Sequence, residues 1–168
     1  IYQFDWSSDV CSSDLISGSS QGFWYFPFPR NRREGFLSAL NDAGINFDPN
    51  LEVHADFSVA TAERAMDDLL ARPNRPTAVF CESDEMAYGA IKSMRKHGLS
   101  CPEDISLIGY DGHEMADFAN LTTIAQPVQT MGELAAWAVM EKLNKPDTPA
   151  KHINLPTTLI VRGSTRAI

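Results

Sequence analysis

A carboxylate delivered by a short apolar run to a glycine is the feature of this sequence best placed to do chemistry: Ile105-Ser106-Leu107-Ile108-Gly109-Tyr110 ends in Asp111-Gly112. At the carboxyl end of a buried parallel strand, such a group can accept two hydrogen bonds from vicinal hydroxyls or from a ring nitrogen. In open α/β sheets that edge is where ligands bind. Asp-Gly is also a turn dipeptide, so these residues alone leave binding and turn initiation evenly balanced. Catalytic patterns fare worse. Gly18-Ser19-Ser20-Gln21-Gly22 fits the G-x-S-x-G elbow, with Asp111 and His152 following in hydrolase order. The elbow needs a helix directly after its serine, and the prolines within Phe23 to Pro29 oppose one, so no enzyme is expected. His54, His97, His113 and His152 stand at no metal-ligand spacing to one another or to cysteine. With no phosphate-cradling glycine loop either, neither a metal nor a cofactor is expected.

The elements that must position Asp111 alternate between two periods. Ala78 to Cys81 is a short apolar run preceded by Pro76 and stopped by Glu82-Ser83-Asp84, as suits a buried parallel strand. Ser83 is a natural N-cap, Asp84 and Glu85 favour the positive end of a helix dipole, and Met86, Ala87, Ala90, Ile91 and Met94 recur at helical spacing. Gly98 closes that helix, and residues 105–110 form the next strand. Upstream, Leu15 to Gly18 reads as a strand end, Ser19 to Pro29 as an aromatic-rich loop, and Arg30 to Ala43 as a helix burying Phe36, Leu37 and Leu40. Leu51 to His54 is a short strand, and Thr61 is expected to cap a helix whose apolar face is Ala62, Ala65, Met66, Leu69 and Leu70. Downstream, Thr130 to Glu133 reads as a capping box for a helix reaching about Asn144, and Thr158 to Arg162 as the last strand. Strands alternating with helices imply right-handed crossovers and a doubly wound parallel sheet of the α/β class.

Composition sets the outer bounds. A chain of 168 residues, 43% hydrophobic and 21% charged, buries the core of one ordinary globular domain. Its net charge of −8 opposes this chain itself being a nucleic-acid surface, since phosphate binding needs clustered Lys and Arg. Three widely spaced cysteines fit a reducing compartment better than a disulfide framework. No run approaches a membrane span, and no secretory signal is visible. The opening IYQFDWSSDVCSSDL holds an SSD repeat without helix or strand period and resembles translated adapter sequence. Residues 1–14 are therefore expected to be a non-native or disordered leader on a fragment of a longer protein.

Several motifs in order resemble the effector-binding core of the LacI/GalR family of bacterial transcription regulators, over roughly residues 15 to 168. Pro76-Thr77-Ala78 through Ser83-Asp84-Glu85-Met86-Ala87-Tyr88-Gly89-Ala90, then Pro102-Glu103-Asp104-Ile105-Ser106-Leu107-Ile108-Gly109-Tyr110-Asp111, match the family's central signature. Leu121 to Pro127, Met131-Gly132, Arg32 to Leu40 and Leu155 to Thr165 match its flanking ones. The resemblance implies a periplasmic-binding-protein-like type I lobe, mostly the C-terminal lobe of a two-lobe core. Within 15–168, residues 131–155, including a strand at Ile153 to Leu155, would belong to the incomplete N-terminal lobe. That leaves an apolar helix face uncovered, so the segment alone is expected to be marginal and aggregation-prone.

The same resemblance implies the site. Asp111 becomes an effector ligand, Arg32 the arginine that reaches the effector, with Arg30 and Arg33 as rivals, and Phe57 an aromatic ring against a sugar or base face. Gln126 is placed to reach the cleft or to bond the backbone. Ser83 stands where the family usually has Asn, and capping competes for its one hydroxyl. The function implied is a cytoplasmic, homodimeric repressor that binds a small effector, a sugar or related metabolite, between its lobes and meets operator DNA only through a helix-turn-helix domain outside this sequence. Tyr88 and the helix near 62–71 are expected to serve the dimer. The rival expectation is a secreted sugar-binding protein of a transport system, which shares the fold.

Overall fold

The computed structural model describes residues 13–18 and 28–166. Most of the expected leader, the rest of the G-x-S-x-G match and the aromatic loop as far as Pro27 lie outside the described residues. Six strands form one sheet: β1 (Ser13–Gly18), β2 (Glu52–Ala55), β3 (Ala78–Cys81), β4 (Ser106–Asp111), β5 (Thr122–Ala125) and β6 (Thr158–Ile160). Their spatial order is β2-β1-β3-β4-β5-β6. The first five run parallel, and β6 pairs antiparallel with β5. The doubly wound expectation therefore holds with one reversed edge strand. β1 begins at Ser13, two residues inside the expected leader.

Val79, Phe80 and Cys81 are buried in succession without polar alternation, as a strand covered on both faces requires. The crossovers are helical: α1 (Phe28–Asp42), α2 (Val59–Leu70), α3 (Asp84–Lys96) and the single turn α4 (Met115–Phe118), followed by α5 (Val128–Asn144). Met66 and Leu69 of α2, Met86 and Met94 of α3, and Ile16 and Leu107 of the sheet are fully or almost fully buried in one core cluster. Helices α2 and α3 meet where Gly89 presents no side chain; a Cβ there would run into the Val59 carbonyl and the Ala62 methyl. No helix among the described residues is long and apolar enough to cross a membrane.

Local sequence chemistry set most ends, with exceptions. Ser83 caps α3 as expected, its Oγ accepting the Met86 N–H at 3.2 Å. The cap of α2 is Ser58 rather than Thr61: Ser58 is extended and accepts the Thr61 N–H, while the Thr61 hydroxyl donates to Asp56. The expected capping box at Thr130 is also absent. Pro127 holds the N-cap position of α5, so Thr130 already lies inside the helix, and Glu133 instead accepts from Gln129. Ile153 to Leu155 forms no strand, because β6 is the edge of the sheet and no described strand lies beside them to complete a ladder. Tyr88 is half-buried, its ring edge-on to His113 and its hydroxyl buried.

Candidate functional site

Residues from five neighbouring strands meet along the carboxyl edge of the sheet. In spatial order these strand ends carry Phe57 after β2, Gly18 of β1, Glu82 after β3, Asp111 of β4 and Gln126 after β5, with Arg32 of α1 reaching onto them. The chain leaves β1 to form β2 on one side and returns to form β3 on the other. Helices on either side of such a switch point diverge and leave a crevice above the strand ends, the usual ligand position in open α/β sheets.

Asp111 anchors the row. Its Oδ1 accepts from Arg32 Nη2 at 3.1 Å and from Gln126 Nε2 at 2.8 Å. Its Oδ2 makes no hydrogen bond among the described residues, and the side chain keeps 38% of its surface exposed. The backbone there has a positive φ of 120°, a strained value for a residue with a Cβ. Strain is held in place by Gln126 N–H on the Asp111 carbonyl and by Gly112 N–H on Thr123 Oγ1. Burial pushes the Asp111 carboxyl above its ordinary pKa against the pull of Arg32, and the charge of Asp84 pushes the same way.

Arg32 is held on three sides and is only 11% exposed. Besides Asp111 it donates to the Glu82 carbonyl, and its guanidinium lies 3.9 Å from the centroid of the Tyr110 ring. Such stacking and forked donation are geometries that lysine cannot reproduce. Its rivals are engaged elsewhere. Arg33 forks onto Glu52 at 2.8 Å, tying α1 to β2, and Arg30 lies 3.6 Å from Glu34 on the outside of α1. Phe57 also adopts positive φ, 62°, and its ring lies over Gly18, where any Cβ would collide with it.

Ser83 and Asp84 sit beneath this edge rather than on it. Both are buried. Asp84 accepts the Thr123 hydroxyl at 2.6 Å and the His113 N–H at 2.7 Å, fastening α3 to β5 and to the segment after β4. Burial raises its pKa in spite of those donors. The structure thus brings Asp111, Arg32 and Gln126 into direct contact, puts Phe57 at the far end of the same row, and engages the Ser83 hydroxyl as a helix cap. Sequence reasoning passed over Tyr110 and Glu82. A charged residue ending an apolar strand was the available signal for Glu82, and an aromatic next to the strand-end carboxylate the signal for Tyr110.

The opposite edge is stitched by the end of the chain. Ser164 Oγ donates to the Leu107 carbonyl at 2.6 Å and accepts the Thr122 N–H at 2.8 Å, while Leu107 N–H donates to the Ser164 carbonyl at 2.7 Å. Arg162 donates to the Leu121 carbonyl at 2.8 Å.

A family model described as a periplasmic binding protein-like domain matches residues 22–165. The chain is 38% identical over 144 residues to the HTH-type transcriptional repressor CytR of Escherichia coli (strain K12), which covers 84% of this chain and 42% of that protein. It is 39% identical over 137 residues to the ribose operon repressor of the same strain, covering 80% of this chain and 42% of the repressor. The chain thus spans less than half the length of these curated relatives. A crystal structure of a LacI family transcriptional regulator from Enterococcus faecium with bound ribose superposes with a TM-score of 0.82 at 30% identity, over 93% of this chain and 57% of that one.

Proposed function

We propose a ligand-sensing role for this chain, which belongs to the periplasmic-binding-protein-like domain family, in its LacI/GalR-type branch. In this reading the row Phe57, Asp111, Gln126 and Arg32 holds a small effector, a sugar or related metabolite, against the carboxyl edge of the sheet. The observation that carries it is the Asp111 carboxylate: Arg32 and Gln126 fix one oxygen, and the other makes no hydrogen bond among the described residues on a side chain still 38% exposed, so it can accept from vicinal hydroxyls. No bond is made or broken there. The row presents a ring face, a carboxylate, an amide and a guanidinium, groups that recognise a ligand by packing and hydrogen bonding. Ser83 serves it from below, by fixing the start of α3.

The protein of which this chain is a part then acts by linkage. Effector binding changes the closure of two lobes and so the operator affinity of a cytoplasmic homodimer whose helix-turn-helix domain lies outside this sequence. Relatives named as repressors support this reading over a secreted transport protein, as does a LacI-family neighbour crystallised with ribose. The test is a thermal-shift screen of the full-length protein against sugars and purines. A saturable shift is expected from at least one compound, and Asp111→Asn removes it. A shift that survives this substitution overturns the site, and no shift from any compound overturns the function.

A further inference from the structure

Glu82 carries the one side chain of the strand-end row that no part of the ligand reading has used. It follows β3 directly and bridges the switch point: its Oε2 accepts the Gly18 N–H of β1 at 2.7 Å, its own N–H donates to the Ile16 carbonyl at 3.2 Å, and its carbonyl receives Arg32. The residue is 0% exposed, yet Oε1 has no hydrogen-bond partner among the described residues. A buried carboxyl oxygen left unpaired is costly, and such groups survive where function uses them. Its neighbour Ser83 has its oxygen occupied by the cap of α3, which leaves Glu82 as the uncommitted polar group at the end of β3.

We propose that Glu82 is a further effector contact, its Oε1 accepting a hydrogen bond from a hydroxyl of a neutral, polyhydroxylated ligand seated at the β1–β3 switch point. The inference rests on the ligand-sensing reading and adds to it a residue and a charge class. Along this edge the carboxyls of Glu82 and Asp111 flank Arg32, which already serves Asp111 and the Glu82 carbonyl, Asp84 lies buried beneath them, and Arg33 is paired with Glu52. A phosphate or carboxylate on the ligand would meet that acidic row, whereas a hydroxyl supplies the donor that Oε1 lacks. Burial, opposed by Arg32 and Arg33 and reinforced by Glu52, places the Glu82 pKa at about 7. A donor to Oε1 favours the ionised form, so binding strengthens as the proton leaves.

Isothermal titration of the full-length protein with D-ribose, cellobiose, adenosine and ribose 5-phosphate, from pH 6 to pH 8, tests this. At least one neutral compound is expected to bind, with affinity rising roughly tenfold across that range as a group with a pKa of about 7 ionises, and ribose 5-phosphate is not. Glu82→Gln keeps the size of the side chain, lowers affinity at pH 8 at least tenfold and flattens the pH profile, leaving only the contribution of Asp111 and Asp84. A Glu82→Gln titration that matches wild type overturns the inference, and so does preferred binding of ribose 5-phosphate. If Asp111→Asn abolishes binding while Glu82→Gln does not, the ligand reading stands and this inference falls. If wild type binds none of the neutral compounds, both fall. Should Glu82→Gln fail to fold, Glu82→Asp decides: weakened binding with the pH profile retained supports the contact, and wild-type affinity overturns it.

Discussion

Glu82 carries a folding consequence as well as a binding one. Its pKa moves from an ordinary 4.5 to about 7, chiefly through burial, so the folded state holds the proton more tightly than the unfolded chain does. A raised carboxyl of this kind contributes stability that is fully present below about pH 4.5 and is lost as pH rises through about 7. Denaturant midpoints measured from pH 4.5 to 8 should therefore decline for wild type and flatten for Glu82→Gln. Parallel curves for the two proteins would show that Glu82 ionises freely in the fold. The Asp111 carboxyl is likewise pushed up by burial against the pull of Arg32, but its side chain keeps 38% of its surface exposed. Two carboxyls on neighbouring strands are thus given different exposure by their surroundings rather than by their type.

At the scale of elements, α2 and α3 pack at close range. Gly89 lets the helices close to backbone contact, and Asp67 of α2 accepts from Ser93, Lys96 and His97 along the rim of the same join. Those exposed ion pairs contribute modestly, while the close approach does not tolerate added volume. Gly89→Ala should lower stability by about 1–3 kcal/mol with an unchanged denaturant slope. An unaltered midpoint would mean that the helices part without cost. These elements were legible because their apolar spacing is helical and Ser83 is a strong cap. The cap of α2 was misread because Ser58 and Thr61 are both good capping residues, and the choice between them depends on the turn around Phe57 at positive φ. The start of α5 was misread because a Thr-x-x-Glu pattern is indifferent to a proline three residues earlier. Asp111, Arg32 and Gln126 could be named from motif order, yet their mutual contact depends on strands adjacent in space and distant in sequence. Glu82 stayed hidden because its environment is made by β1 and α1, not by its neighbours in the chain.

For the molecule as a whole, the largest imbalance lies in α5. No residue of that helix is buried, and Trp137, Val139, Met140 and Leu143 are exposed, Leu143 at 70%. Scattered apolar side chains are ordinary on a surface; a whole helix of them predicts association. Residues 13–168 produced alone should self-associate in light scattering, and Val139→Lys combined with Leu143→Lys should suppress this while shifting stability by no more than about 0.5 kcal/mol per site. A monodisperse wild-type segment would argue that α5 folds back onto the sheet in solution. The stitch made by Ser164 has a quieter effect. It clamps β4 and β5 at their amino-terminal side, away from the row that contains Asp111. Under the proposed function, anchorage and selectivity fall on opposite rims, so side chains on the recognition rim can be exchanged for a new guest while the fastening that keeps the strands in register stays untouched.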